Sequence, residues 1–226
     1  MTNYKGFEPE TEGEQDHEAG IYLSISDLMS TLFLFFALLF ITVLVQLKEY
    51  QDQSSKQKNI VIGTLQGQLK ANNVAVKVNE ETGDVSIQDK ILFDEGSAEL
   101  TPKGKAFLRK FIPVYSQVIF SQAAIESQIT RVVVEGHTSS KGEYEDNLEL
   151  SLLRSLSVSK YIFSKDLNFK TKERLKKKIL ASGRGKIDAD PIDNPSDRKV
   201  VFRFQFKGEE FAQWYEKNQL PGKKAP

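Results

Sequence analysis

The run from Leu28 to Val45 limits what this chain can become more than any other feature, because only Ser30, Thr31 and Thr42 interrupt it. An α-helix rises about 1.5 Å per residue, so about 20 residues cross the hydrocarbon of a bilayer. Extended from Tyr22 to Leu47, the run is long enough, and it predicts a transmembrane helix over residues 21–47. A cleaved signal peptide would need a basic start and a small-residue cleavage site. The preceding segment is instead acidic (Glu8, Glu10, Glu12, Glu14, Asp16, Glu18) and no such site follows, so the span is expected to remain as an anchor. Asp27 stands about one turn into it. From the span alone two readings stay open. Asp27 or Ser26 could cap the helix N-terminus, where carboxylates are favourable; or the carboxyl could be a functional group held within the membrane.

Composition removes several functions. Lys+Arg and Asp+Glu number 31 each, and a balanced chain lacks the basic surface that displaces counterions from phosphates. No nucleic-acid partner is expected. There are no cysteines, which removes disulfides, Cys-zinc sites and thiol chemistry. His17 and His137 are too far apart in sequence to suggest a metal site. No nucleophile–base pair or paired acids are arranged for catalysis, so neither an enzyme nor a cofactor is expected.

The order of parts is legible from pattern. Residues 1–20 are polar and acidic and read as a disordered or surface tail. Residues 48–73 carry Val61, Leu65 and Leu69 at helical spacing, which predicts a short helical connector able to pair with a copy of itself. A globular domain over 74–226 should open with a hairpin, Val76 and Val78 against Val85 and Ile87, around the turn residues Glu81 to Asp84. Thr101 and Pro102 predict a helix start; the helix should reach about Phe120, kinked or broken by Pro113. Arg131 to Glu135 reads as a buried strand. Asn147 to Phe163 reads as an amphipathic helix with Leu148, Leu152, Leu156, Ser159 and Phe163 on its apolar stripe. A basic helical piece (Lys172 to Lys178), a short strand (Ile179 to Ala181), a final strand (Lys199 to Phe206) and a last short helix over 209–220 complete the pattern. Helices interleaved with strands give an α/β class, here an α+β two-layer domain with a mixed sheet packed by helices behind a single transmembrane helix.

Five blocks carry a resemblance. They are Ile91 to Leu100 (ILFDEGSAEL), Val134 to Gly142 (VEGHTSSKG), Asn147 to Ser155 (NLELSLLRS), Ser182 to Gly185 (SGRG) and Asp197 to Phe202 (DRKVVF). In this order, over residues 85 to 206, they resemble the OmpA-like peptidoglycan-binding domain. The resemblance implies binding to the diaminopimelate of peptidoglycan stem peptides. A zwitterionic ligand end needs a cation for its carboxylate and acceptors for its amine. Arg154 matches the family's carboxylate-binding arginine, suited to a bidentate contact. Asn147 and Leu150 precede it on the same helix face, and Thr138 lies on the loop they face. The family's ammonium-binding aspartate is replaced here by Ser139; Asp146, Glu143 and Asp94 are the candidate substitutes. Arg198 is expected to support the site.

The stretch Ser26-Asp27-Leu28-Met29-Ser30-Thr31-Leu32, early in a lone span and joined to such a domain, resembles the B subunits of proton-driven envelope motors. These are the flagellar stator subunit (MotB) and, closer by the Asn147 to Ser155 helix and the short connector, the Zorya anti-phage defence subunit (ZorB). The resemblance implies that Asp27 takes up and releases protons, with Ser30 and Thr31 supporting the path. One span cannot enclose a polar route, so it also implies a multi-span A subunit (ZorA- or MotA-like) around two copies of this chain. A passive peptidoglycan tether, with Asp27 as a helix cap, is the competing class. The implied location is the bacterial inner membrane, N-terminus cytoplasmic and C-terminal domain periplasmic. The lysines point the other way: Lys48, Lys56 and Lys58 outnumber Lys5. The implied ligand, however, exists only outside the cytoplasm.

Overall fold

The computed structural model describes residues 12–207. Residues 1–11 and the helix expected over 209–220 lie outside that range. Contacts divide the chain into two units, Met1–Ser54 and Ser55–Pro226.

Helix α1 (Glu12–Ala71) makes up the described part of the first unit and extends into the second. It starts inside the stretch expected to be a disordered tail and continues past residue 47, where a separate connector was expected. It is long and apolar enough to cross a membrane: its most apolar window has a mean hydropathy of 2.7, with none of it buried. The Ser30 and Thr42 hydroxyls donate to the carbonyls of Ser26 and Leu38 on their own helix, each at 2.8 Å. Such back-bonding satisfies small polar side chains where lipid offers no partner. Because α1 begins at Glu12, Asp27 and Ser26 lie in the helix interior. The capping reading of Asp27 is thereby corrected, since a cap must sit where backbone N–H groups are unpaired.

In the second unit the last turns of α1 are part of the core. Val61 and Leu65 are fully buried, with Ile62 and Leu69 nearly so. The stripe expected to pair with a second copy is therefore spent within the chain, packed in one cluster with Phe204 and Phe206. A five-stranded mixed sheet follows, in the order β1-β2-β5-β3-β4, from β1 (Lys77–Val78), β2 (Val85–Gln88), β3 (Ile129–His137), β4 (Ile179–Gly185) and β5 (Lys199–Phe206). β3 and β4 are parallel and the other pairs antiparallel. The expected hairpin is present, with Lys77 opposite Ser86 and Val78 opposite Val85. Its turn places Gly83 at φ +77°, a left-handed conformation that glycine adopts at little cost. The strands near 131 and 179 run further than expected, β4 to Gly185, because each lies along the other.

Between the strands come α2 (Asp89–Leu92), α3 (Pro102–Ile119), α4 (Ala123–Gln128), α5 (Tyr144–Phe163) and α6 (Lys172–Lys176). Thr101 caps α3 by accepting from the Gly104 N–H at 3.0 Å. Pro113 does not end α3. Proline removes one backbone donor, but Phe111, Ile112, Tyr115, Val118 and Ile119 bury the helix on both sides of it. Tyr115 stacks on Phe204, with ring centroids 5.0 Å apart, and Phe111 meets Phe202 edge-on. Val132 pairs with Phe204 and Val134 with Phe202, which puts these side chains on the sheet face that the helices cover.

Helix α5 departs from its expected stripe. Leu152, Leu153 and Leu156 are exposed, and the buried face carries Asn147, Ser151, Arg154, Ser155, Val158, Ser159 and Ile162. The reason is spacing. Small serines let the helix backbone approach two glycine positions of the sheet, and a Cβ on Gly136 would stand 2.1 Å from the Ser151 carbonyl oxygen. The hydroxyls bond back to Leu148, Leu152 and Ser155 carbonyls, so none is orphaned. In the basic run, Lys172 and Lys178 donate to main-chain carbonyls and Arg174 pairs with Glu126; these cations tie α4 and α6 to neighbouring loops.

Candidate functional site

The residues singled out in the domain fall on three elements. Thr138 and Ser139 directly follow β3 and are both buried. The Thr138 N–H donates to the Gly185 carbonyl at 2.9 Å, and its hydroxyl is buried without a hydrogen bond. Asn147 is also buried. Its amide donates to the carbonyls of Lys141 and Glu143, at 2.9 and 2.7 Å, and so fastens the loop ahead of α5. Gly142 in that loop sits at φ +90°. Leu150 is half-buried; Asp94, Glu143 and Asp146 are exposed.

Arg154 lies deepest, with its side chain 1% exposed. Its Nε donates to the Ser97 carbonyl at 2.9 Å, and the guanidinium lies over the Phe93 ring, 5.3 Å from the centroid. Its Nη1 is 3.2 Å from Asp89 Oδ2, within ion-pair range but out of line for a hydrogen bond. Asp89 Oδ2 is also 4.0 Å from Arg198 Nε, and the Asp89 N–H bonds the Arg198 carbonyl at 3.0 Å. Burial holds the Arg154 pKa below its ordinary value; Asp89 acts against that shift and the nearby charge of Arg198 adds to it. Arginine nevertheless stays protonated in such surroundings.

The structure thus brings together Arg154, Arg198 and Asp89. Among the described residues, neither Asp94, Glu143 nor Asp146 makes an ion pair with Arg154; the acid beside it is Asp89, which the sequence reading did not name. A signal was present: Asp89 directly follows the alternating strand Val85–Gln88 and precedes the Ile91-Leu92-Phe93 block. A strand end beside a motif is where a fold places groups that act together.

A second charged cluster occupies the other face of the sheet. The His137 ring lies 3.0 Å from Glu135 and 3.6 Å from Asp188, and Arg203 reaches both Glu135 and Asp84. Burial raises the Glu135 carboxyl, but the His137 bond and the charges of Arg203, His137 and Arg184 outweigh it, leaving its pKa below the usual value. Arg184 grips Asp188 with two bonds, at 3.0 and 2.8 Å. Every charge here has an opposite partner, which suits a structural network holding the 186–197 loop to the sheet.

Asp27, Ser30 and Thr31 belong to the first unit. The three are exposed on α1, with Ser30 and Thr31 three and four residues after Asp27, hence on the same face. Leu28, Phe33 and Phe36 around them are exposed too.

Residues 92–201 match the OmpA family. Over 84% of its length this chain is 26% identical to the Zorya protein ZorB of Escherichia coli strain ATCC 8739, covering 88% of that protein. It is also 26% identical to ZorB of Escherichia coli O139:H28, with 84% of this chain and 82% of that protein aligned. Among solved structures, a MotB-like protein of Desulfovibrio vulgaris matches at 17% identity and a TM-score of 0.50, covering 70% of this chain and 97% of that one. That last likeness concerns the fold.

Proposed function

We propose, from the premise that residues 92–201 form an OmpA-family domain behind a helix able to cross a membrane, that this chain is the B subunit of a proton-driven motor of the bacterial inner membrane. The reading favours the Zorya anti-phage kind over the flagellar kind, because similarity to the two ZorB proteins extends over most of the chain and not the domain alone. The N-terminus lies in the cytoplasm and the domain in the periplasm, bound to peptidoglycan. The observation that carries the reading is Asp27, an ionisable side chain inside α1 at the head of its apolar stretch, where Ile25, Leu28, Met29 and Leu32 around it are exposed. A carboxyl facing lipid is costly, and such residues face a partner or an aqueous path. A multi-span A subunit packed against two copies of this helix supplies that environment. A proton crossing such a path gains about 2.3 kcal/mol per 100 mV, and Asp27 carries it, with Ser30 and Thr31 offering oxygens one turn on. The domain does no chemistry: it holds the complex to the wall, so that the A subunit can do work against a fixed point. A passive tether would leave Asp27 without a role, now that it is not a cap.

The wall half of the proposal is tested by co-sedimentation. Full-length protein in detergent should pellet with purified peptidoglycan sacculi, and muramyl tripeptide carrying diaminopimelate should release it. Protein that stays in the supernatant at every concentration of sacculi would remove the wall from the account.

A further inference from the structure

The outer face of α5 carries a stripe that the fold leaves uncovered. Leu152, Leu153 and Leu156 are 45%, 43% and 40% exposed, while Ser151, Arg154, Ser155 and Val158 between and beside them are buried. Glu145 and Glu149 ahead of the leucines and Lys160 after them are exposed as well. These six residues recur at three- and four-residue spacings, so they share one face of the helix. Their order along it is acid, leucine, base. Among the described residues, none of the three charges makes an ion pair. The connector stripe of Val61 and Leu65 is used up in the core, which leaves α5 as the helix of this domain with an open run of leucines.

We propose that this stripe joins the domains of two copies of the chain, with α5 packed antiparallel on α5 about a two-fold axis. The proposal rests on the two-copy reading above and adds the surface that holds the copies together outside the membrane. A two-fold contact brings the same patch of both copies together, so the patch must complement itself. Here it does. Glu149 stands four residues before Leu153, and Lys160 stands four residues after Leu156. When Leu153 of one copy faces Leu156 of the other, each Glu149 therefore faces the second copy's Lys160. The leucines meet in the middle and lose their water, and two ion pairs close the ends. A parallel arrangement would set Glu149 against Glu149 and Lys160 against Lys160, which like charges oppose. The match of charge to position thus selects both the occupant, a second copy, and its direction. The inward face of α5 is unaffected, because the residues that pack on the sheet lie on the opposite side of the helix.

The test uses membranes from cells expressing the full chain with its neighbouring genes. The chain has no cysteine, so Leu153→Cys supplies a single thiol close to the axis. A short bis-maleimide should link this variant into a dimer in high yield. Lys77→Cys, exposed on β1 at the far edge of the sheet from β4, should give little. In the Leu153→Cys background, Glu149→Lys or Lys160→Glu alone turns both end pairs repulsive and should weaken the pairing by about tenfold. Glu149→Lys combined with Lys160→Glu restores opposite charges across the axis and should recover the yield, which a role confined to one chain would not do. A dimer yield from Leu153→Cys no higher than that from Lys77→Cys overturns the proposal, as does cross-linking to a different protein in place of a second copy. A double swap as weak as the single ones overturns it too. The two-copy reading is judged separately: a tagged chain should bring down an untagged one from the same membranes, and its failure to do so would remove the second copy itself.

Discussion

Asp27→Asn should produce a chain that is made, inserted and assembled at normal levels, yet gives no protection against phage. Asparagine has nearly the size of aspartate and a similar helix propensity, and Asp27 lies inside α1, so the helix has no reason to shift. What is lost is the ability to hold and release a proton. Plating efficiency of a sensitive phage, on cells carrying the chain with its neighbouring genes, should rise to the level of cells lacking the chain. Asp27→Glu keeps the carboxyl on a longer arm and should retain part of the protection. If Asp27→Asn protected fully at equal protein levels, proton transfer through this residue would be excluded.

The largest structural effect is expected at Gly136. A Cβ there meets backbone atoms of α5, 2.1 Å from the Ser151 oxygen and 2.8 Å from its carbon. No rotamer change can clear a backbone, so Gly136→Val must push α5 off the sheet. That separates the serine face from β3 and β4 and moves Arg154 out of its seat. A loss of about 4 kcal/mol or more is expected, at the upper end for single substitutions, read as a fall in the urea midpoint of unfolding. Gly96→Ala is the control. Gly96 has open space around it but a φ of +69°, so its cost is backbone strain alone, roughly 1 kcal/mol. Equal midpoints for Gly136→Val and the wild type would mean that α5 does not lie as described.

The contrast between α3 and α5 shows what the sequence makes legible. Thr101, Pro102 and the hairpin around Gly83 follow local rules of capping and turn geometry, and the structure obeys them. On α5 the leucines suggest the core by hydrophobicity, yet the serines face inward, because the sheet presents glycines there and tolerates only close, small contacts. That is a tertiary fact, invisible in periodicity. Val61 and Leu65 were visible as an apolar stripe, but a stripe does not say whether its partner is a second chain or its own sheet. The site divides in the same way. Motif blocks pointed to Arg154 through resemblance. Asp89 emerges only when the end of β2 meets the start of β5, more than a hundred residues later in the chain. The lysine count remains at odds with the proposed orientation.

That orientation is open to direct measurement, because the chain has no cysteine of its own. Lys110 is exposed on α3, so Lys110→Cys places one thiol on the surface of the domain. Spheroplasts expressing this variant should be treated with a membrane-impermeant maleimide, with and without lysis. A wall-anchored subunit requires full labelling of intact spheroplasts, unchanged by lysis. Labelling that appears only after lysis would put the domain in the cytoplasm, away from peptidoglycan, and would contradict the account.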